Sequence, residues 1–225
     1  MKRLTVCILV FLMAVSLAAC GQEQQGSGES EPADNQSEAE AQPADGDGSV
    51  LIAYFSWAQN AETDEDVDAV TSPSVVAPGD VQRLAGWVQE GTGGDVFTIQ
   101  VTEPYPSDWD ECLDRANEER AENARPELTA QVENMDDYDT VFIGYPNWWY
   151  GAPMAVLSFL EDYDFSGKQV YLFCSHGTGG LANSVEDISD SVSGGEISEN
   201  VFDVYEEDAA SSRDDIMDWL GQLGY

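Results

Sequence analysis

Two short loops in this 225-residue chain concentrate side chains with chemical reach. In the first, Pro146-Asn147-Trp148-Trp149-Tyr150-Gly151, three large aromatics stand in a row between an apolar run and a helical pattern. Rings so placed can stack on a flat ligand, each contributing about 1 kcal/mol beyond the area it buries. The alternative is that some of the three only cap the core. In the second, Ser175-His176-Gly177-Thr178-Gly179, glycines let backbone approach a ligand, while Ser175, His176 and Thr178 supply donors. His176 adjoins Ser175 and Cys174, but sequence neighbours point apart and no G-x-S-x-G is present, so a hydrolytic triad is not expected. No catalytic side chain is assigned. With one histidine and no Cys-x-x-Cys pair, a histidine-based metal centre is not expected either. Gly177 to Ala182 also fits G-x-G-x-x-A, but a dinucleotide fold carries that fingerprint after its first strand.

The elements that must position these loops alternate. Apolar runs too short for helices, rich in Val, Ile, Phe and Tyr, lie at Val50–Phe55, Val96–Ile99, Val141–Tyr145 and Val170–Cys174, and a weaker one near Ile197–Val204. They read as buried strands. Helical spacing marks Val81–Gln89, Trp109–Ala124, Met154–Tyr163 and Ser211–Leu223. Strand–helix alternation implies a parallel sheet with right-handed crossovers. Ligands of such sheets sit beyond the carboxyl ends of the strands, which adds Ser56-Trp57-Ala58-Gln59-Asn60, after the first strand, to the candidate loops.

Before the domain come two segments of a different kind. Met1-Lys2-Arg3 opens an apolar run to Ala19 that is shorter than the ~20 residues of a spanning helix. It ends in Leu17-Ala18-Ala19-Cys20, similar to a bacterial lipobox. Residues 1–19 are therefore expected to be a signal peptide, and Cys20 the lipidated first residue of an exported protein tethered to the outer face of a bacterial membrane. An uncleaved anchor helix is the alternative. Residues 20–48 hold no aromatic or branched apolar side chain and read as an acidic linker. Residues 49–225 form one domain, long enough to bury about 70% of its unfolded surface.

The net charge is −36, from 44 acidic and 8 basic side chains. Nucleic acid and anionic lipid are repelled by such a chain, so the bilayer is met through the anchor alone. Cys112 starts a helical pattern and Cys174 ends a buried strand, so two buried thiols are expected rather than a disulfide.

Several stretches together resemble the flavodoxin family, in the branch found in bacterial lipoproteins and flavin oxidoreductases. They are Val50–Ser56, Val101–Pro106, Asn123–Leu128, Gly144–Trp149 and Phe173–Gly177. The resemblance implies a flavodoxin-like α/β/α sandwich with a five-stranded parallel sheet in order 2-1-3-4-5. It also implies flavin mononucleotide (FMN) as cofactor, and electron transfer between an unidentified redox donor and acceptor. All three loops would then be cofactor-binding, with His176 either bonding the flavin edge or holding its own loop. One loop departs from the family pattern. Where the family typically has Ser/Thr-x-Thr-Gly-Asn-Thr around the phosphate, this chain has Ser56-Trp57-Ala58-Gln59-Asn60-Ala61. Losing two hydroxyl donors costs about 1 to 3 kcal/mol. The acidic stretch Glu62-Thr63-Asp64-Glu65-Asp66 follows, and the first helix is delayed to about Asp80 by an insertion whose Thr71, Ser72 and Ser74 could return donors to the site. The competing expectation is a non-enzymatic binding module that keeps the fold and holds no flavin, or another flat ligand. If a flavin is held, an acidic, apolar-walled site disfavours the added negative charge of its reduced form, and a low potential follows.

Overall fold

The computed structural model describes residues 49–62 and 72–225. The signal peptide, Cys20, the linker, Thr71 and most of the acidic stretch lie outside the described residues.

Strand β1 (Val50–Tyr54) is buried along its whole length, as a central parallel strand covered on both faces must be. Its side chains alternate between two cores. Val50, Ile52 and Tyr54 face α1 (Asp80–Thr92) and α5 (Arg213–Leu223), meeting Leu84, Val88, Ile216 and Trp219. Leu51, Ala53 and, just past the strand, Phe55 face the other layer, which includes α3 (Met154–Glu161) and α4 (Ser184–Ser191). Helix α2 (Trp109–Glu122) joins that layer through buried Cys112. It starts where Asp108 accepts a hydrogen bond from the Glu111 amide.

Strands β2 (Asp95–Thr98) and β3 (Thr140–Pro146) flank β1, and β4 (Gln169–His176) lies beyond β3, all parallel. The fifth position is held by two short strands in succession, β5 (Glu196–Ile197) and β6 (Phe202–Tyr205), both paired with β4. The sheet order is thus 2-1-3-4-5, with the last strand interrupted. Residues 198–201 are one source of the break: the Asn200 amide bonds the Ser198 hydroxyl instead of a neighbouring strand. Helix α4 was not expected from sequence. Only Val185 and Ile188 give it an apolar face, and of these two Ile188 alone is fully buried.

Cys112 and Cys174 are both free and buried, as expected. Burial pushes the Cys112 thiol up to about 12 and raises that of Cys174 as well.

Candidate functional site

At the carboxyl ends of β3 and β4 the third- and fourth-strand loops face each other across a cavity of about 180 Å³. Pro146, Asn147 and the three aromatics line one side, and Ser175 to Gly179 the other. The two loops are joined by hydrogen bonds. The Asn147 amide donates to the Ser175 carbonyl (2.8 Å), its side-chain Nδ2 donates to the Gly180 carbonyl, and the Asn183 amide donates to the Tyr150 carbonyl (3.1 Å). Asn147 Oδ1 is buried in this wall without a partner. A buried acceptor left unpaired costs on the order of 1–3 kcal/mol, which a ligand N–H or O–H would recover.

The three aromatics have separate roles. Trp148 is core: it packs edge-on against Phe55 (5.2 Å) and Tyr105 (5.1 Å). Trp149 is half-buried, and Tyr150 is 65% exposed at the cavity mouth. Trp148 and Gly151 exchange reciprocal backbone hydrogen bonds of 2.9 and 3.0 Å around them. The enclosed pair takes positive φ, 45° at Trp149 and 70° at Tyr150, the pattern of a type I′ turn that ordinarily selects Asn-Gly. Two bulky residues there cost about 1–2 kcal/mol each. The strain holds two rings at the site.

What over-determines this turn comes from outside the predicted loops. Arg120, near the end of α2, donates to Asp187 Oδ2 of α4 (3.1 Å) and to the Ala152 carbonyl (3.0 Å), while Asp187 Oδ2 also accepts from the Ala152 amide (3.0 Å). A Cβ at Gly151 would overlap the Arg120 guanidinium, so a larger residue there would displace that group from its bonds to Asp187 and Ala152. Trp109, the first residue of α2, also reaches the cavity wall and packs on Trp149 (5.6 Å).

On the other wall, Ser175 is buried, and Thr178 and Gly179 are exposed. A Cβ on Gly179 would lie 3.3 Å from the Tyr150 ring, so that ring comes close to the bare backbone. His176 engages both ring nitrogens within the protein, Nδ1 at 2.8 Å from the Gly177 carbonyl and Nε2 at 2.9 Å from Asp203 of β6. Of its two expected roles, the structure displays the one that holds the loop.

The first-strand loop is not brought to this cavity. Trp57 is 3% exposed, its Nε1 donating to the Pro106 carbonyl (3.1 Å) and its ring packed on Trp109 and Trp148. Asn60 Nδ2 donates to the carbonyls of Ser56 (2.9 Å) and Ile99 (3.0 Å), and Oδ1 accepts from the Val101 amide (2.9 Å), which ties this loop to the segment after β2. Ser56 and Ala58 lie against Gly79, just ahead of α1, and Gln59 shares none of the cavity wall.

Its place is taken by residues from further along the chain. Ser72 and Ser74 of the insertion line the cavity with hydroxyls 2.7 Å apart, and Ser72 donates to Glu206 Oε2 (3.3 Å). Glu206 follows β6 and was not foreseen. The carboxyl end of the fifth strand was the available signal, since that end of every strand borders the ligand crevice. At the start of α1, Asp80 is 8% exposed with Ser175 Oγ 3.5 Å from its carboxylate. Burial first, and the nearby charge of Glu206 second, raise its pKa. No lysine or arginine lines the cavity among the described residues.

A larger groove of about 950 Å³ runs along residues 125–133 and α3. Its walls carry Arg125, Glu127, Glu133 and Glu161 but no aromatic ring, so the smaller cavity is the better ligand site.

A family model for flavodoxin matches residues 67–223. Among solved structures, the chain is similar to a protein assigned as a flavoprotein from Bacteroides eggerthii DSM 20697, with 25% identity, a TM-score of 0.58, and 79% of this chain and 98% of that one covered. A counterpart from Bacteroides uniformis ATCC 8492 gives 25% identity, a TM-score of 0.59, and coverage of 77% and 98%. A flavoprotein from Lactobacillus acidophilus NCFM, solved in complex with FMN, shares the fold at 16% identity and a TM-score of 0.51, covering 74% of this chain and 99% of that one. No curated protein matches the chain.

Proposed function

Given that the chain belongs to the flavodoxin family, we propose that its cavity holds a flavin by the ring system, and that the protein transfers electrons between a donor and an acceptor. The observation that carries this reading is the cavity itself, which sets the Trp149–Tyr150 turn opposite the open backbone at Gly177–Gly179 and has in its wall Asn147, whose buried Oδ1 lacks a partner. The ring of a flavin offers what that geometry lacks: a flat surface for Tyr150 and Trp149, and an N–H for Asn147. FMN is the flavin that the Lactobacillus relative holds, and its ring suits this site.

A bound flavin would supply one- and two-electron chemistry; the protein's residues would orient it and set its electrostatics. Trp149 and Tyr150 provide stacking faces, and the Arg120–Asp187 pair keeps their turn in place. Cys20 is proposed to carry a lipid that tethers the domain to the outer face of a bacterial membrane, with residues 21–48 as the tether.

Purifying the full chain after growth with added riboflavin tests the flavin. The expected result is a yellow protein whose colour bleaches with dithionite. A colourless protein that leaves added flavin fluorescent would instead favour the non-enzymatic binding module. For the anchor, Cys20→Ser is expected to release the protein from membranes; continued membrane association would refute the lipid tether.

A further inference from the structure

Among the described residues, two hydroxyls that could serve a phosphate near this cavity, those of Ser72 and Ser175, already face carboxylates of the protein itself. In parallel α/β folds the phosphate of a nucleotide rests at the amino end of the helix after β1, on free amides and hydroxyls. Here that helix, α1, begins with Asp80, a buried carboxylate close to Ser175 Oγ. The Ser72 hydroxyl, which the insertion brings back to the cavity, donates to Glu206. Glu206 also lies beside the fourth-strand loop, with Oε1 3.6 Å from where a Gly177 Cβ would stand.

Countercharge is scarce. Arg83, one turn along α1 from Asp80, acts favourably on that carboxylate but is exposed and lines no part of the cavity. Arg120 is committed to Asp187 and Ala152. The cavity, at about 180 Å³, is also smaller than the ~300 Å³ lower bound of ordinary small-molecule sites, so it encloses part of a ligand. A ring with a neutral side chain meets all these conditions, whereas a phosphate dianion would bring its charge close to Asp80 and Glu206.

We propose that the site selects the unphosphorylated flavin, so that riboflavin binds more tightly than FMN. This inference rests on the flavin reading above and concerns only the end of the ligand remote from the ring.

Fluorescence titrations of the purified full chain with riboflavin and with FMN, run in parallel at neutral pH, test it. Riboflavin is expected to bind about threefold more tightly or better, and the gap is expected to narrow as sodium chloride rises from about 20 mM to about 500 mM, because salt screens the repulsion felt only by the phosphate. In the double variant Asp80→Asn/Glu206→Gln, the ratio of riboflavin to FMN affinity should fall to about one, whatever the change in overall flavin affinity. FMN binding as tightly as riboflavin, or more tightly, overturns the selectivity and leaves the flavin reading standing. A gap that salt does not move overturns the electrostatic cause, and needs no variant to fold. Quenching of neither flavin defeats the flavin reading itself, and this inference with it.

Discussion

Asp80 carries a penalty at neutral pH that the fold tolerates. Burial and the facing Glu206 raise its pKa, so the folded protein holds this proton more tightly than the unfolded chain does. The stability it contributes is therefore complete below the unfolded carboxylate pKa, near 4, and is lost as pH rises through the raised folded value. Asp80→Asn is expected to raise Tm at pH 8 and to converge with the wild type as pH falls toward 4, a comparison thermal denaturation makes directly. Asn60 shows the opposite case, a residue whose family position suggested ligand binding and whose side chain is spent on backbone. Asn60→Ala strips three hydrogen bonds from buried groups and should cost about 2–4 kcal/mol in urea unfolding, far more than a surface phosphate ligand would. Residue identity placed Asn60 in a cofactor loop. What it could not reveal was that Trp57 would be drawn into the aromatic core and take the loop with it, because that depends on partners, Trp109 and Trp148, distant in sequence.

Among the elements, the strands were legible as short apolar runs and four of the five helices from helical spacing, most of them because the sheet buries a continuous apolar face, although α2 buries only Cys112. Helix α4 was not, since its face is one or two residues wide and its main service is polar, presenting Asp187 to Arg120. The interrupted fifth strand was read as a single weak run, which its two separate pairings with β4 explain. The aromatic turn was legible in composition but not in conformation. Replacing Trp149-Tyr150 by Asn-Gly, the pair a type I′ turn prefers, should relieve strain and raise stability by about 1–3 kcal/mol while weakening flavin binding by about tenfold. Trp148→Ala, next door, should instead lower stability by about 3–5 kcal/mol, as loss of a packed core aromatic does. Chemical denaturation together with a binding titration separates the two outcomes.

For the molecule as a whole, the excess of acidic over basic side chains sets the field around the cavity. Five of the six basic residues in the domain are engaged in hydrogen bonds: Arg115, Arg120, Arg125, Lys168 and Arg213. A flavin gaining negative charge on reduction would meet Glu206 at the cavity and few free cations, so its midpoint potential should lie below that of free flavin; spectroelectrochemistry would contradict this with a higher value. That acidity, like the sheet, was legible in the sequence. The pairing of Glu206 in the cavity wall with Asp80 close by was not, because the two meet only through the fold. The central claim is that Tyr150 and its partners hold a flavin ring, and the most direct measurement is a flavin-fluorescence titration of the full chain beside its Tyr150→Ala variant. The account predicts quenching that saturates at one flavin per chain, with affinity about fivefold weaker in the variant. Unquenched flavin, or a variant that binds as tightly as the wild type, would contradict it.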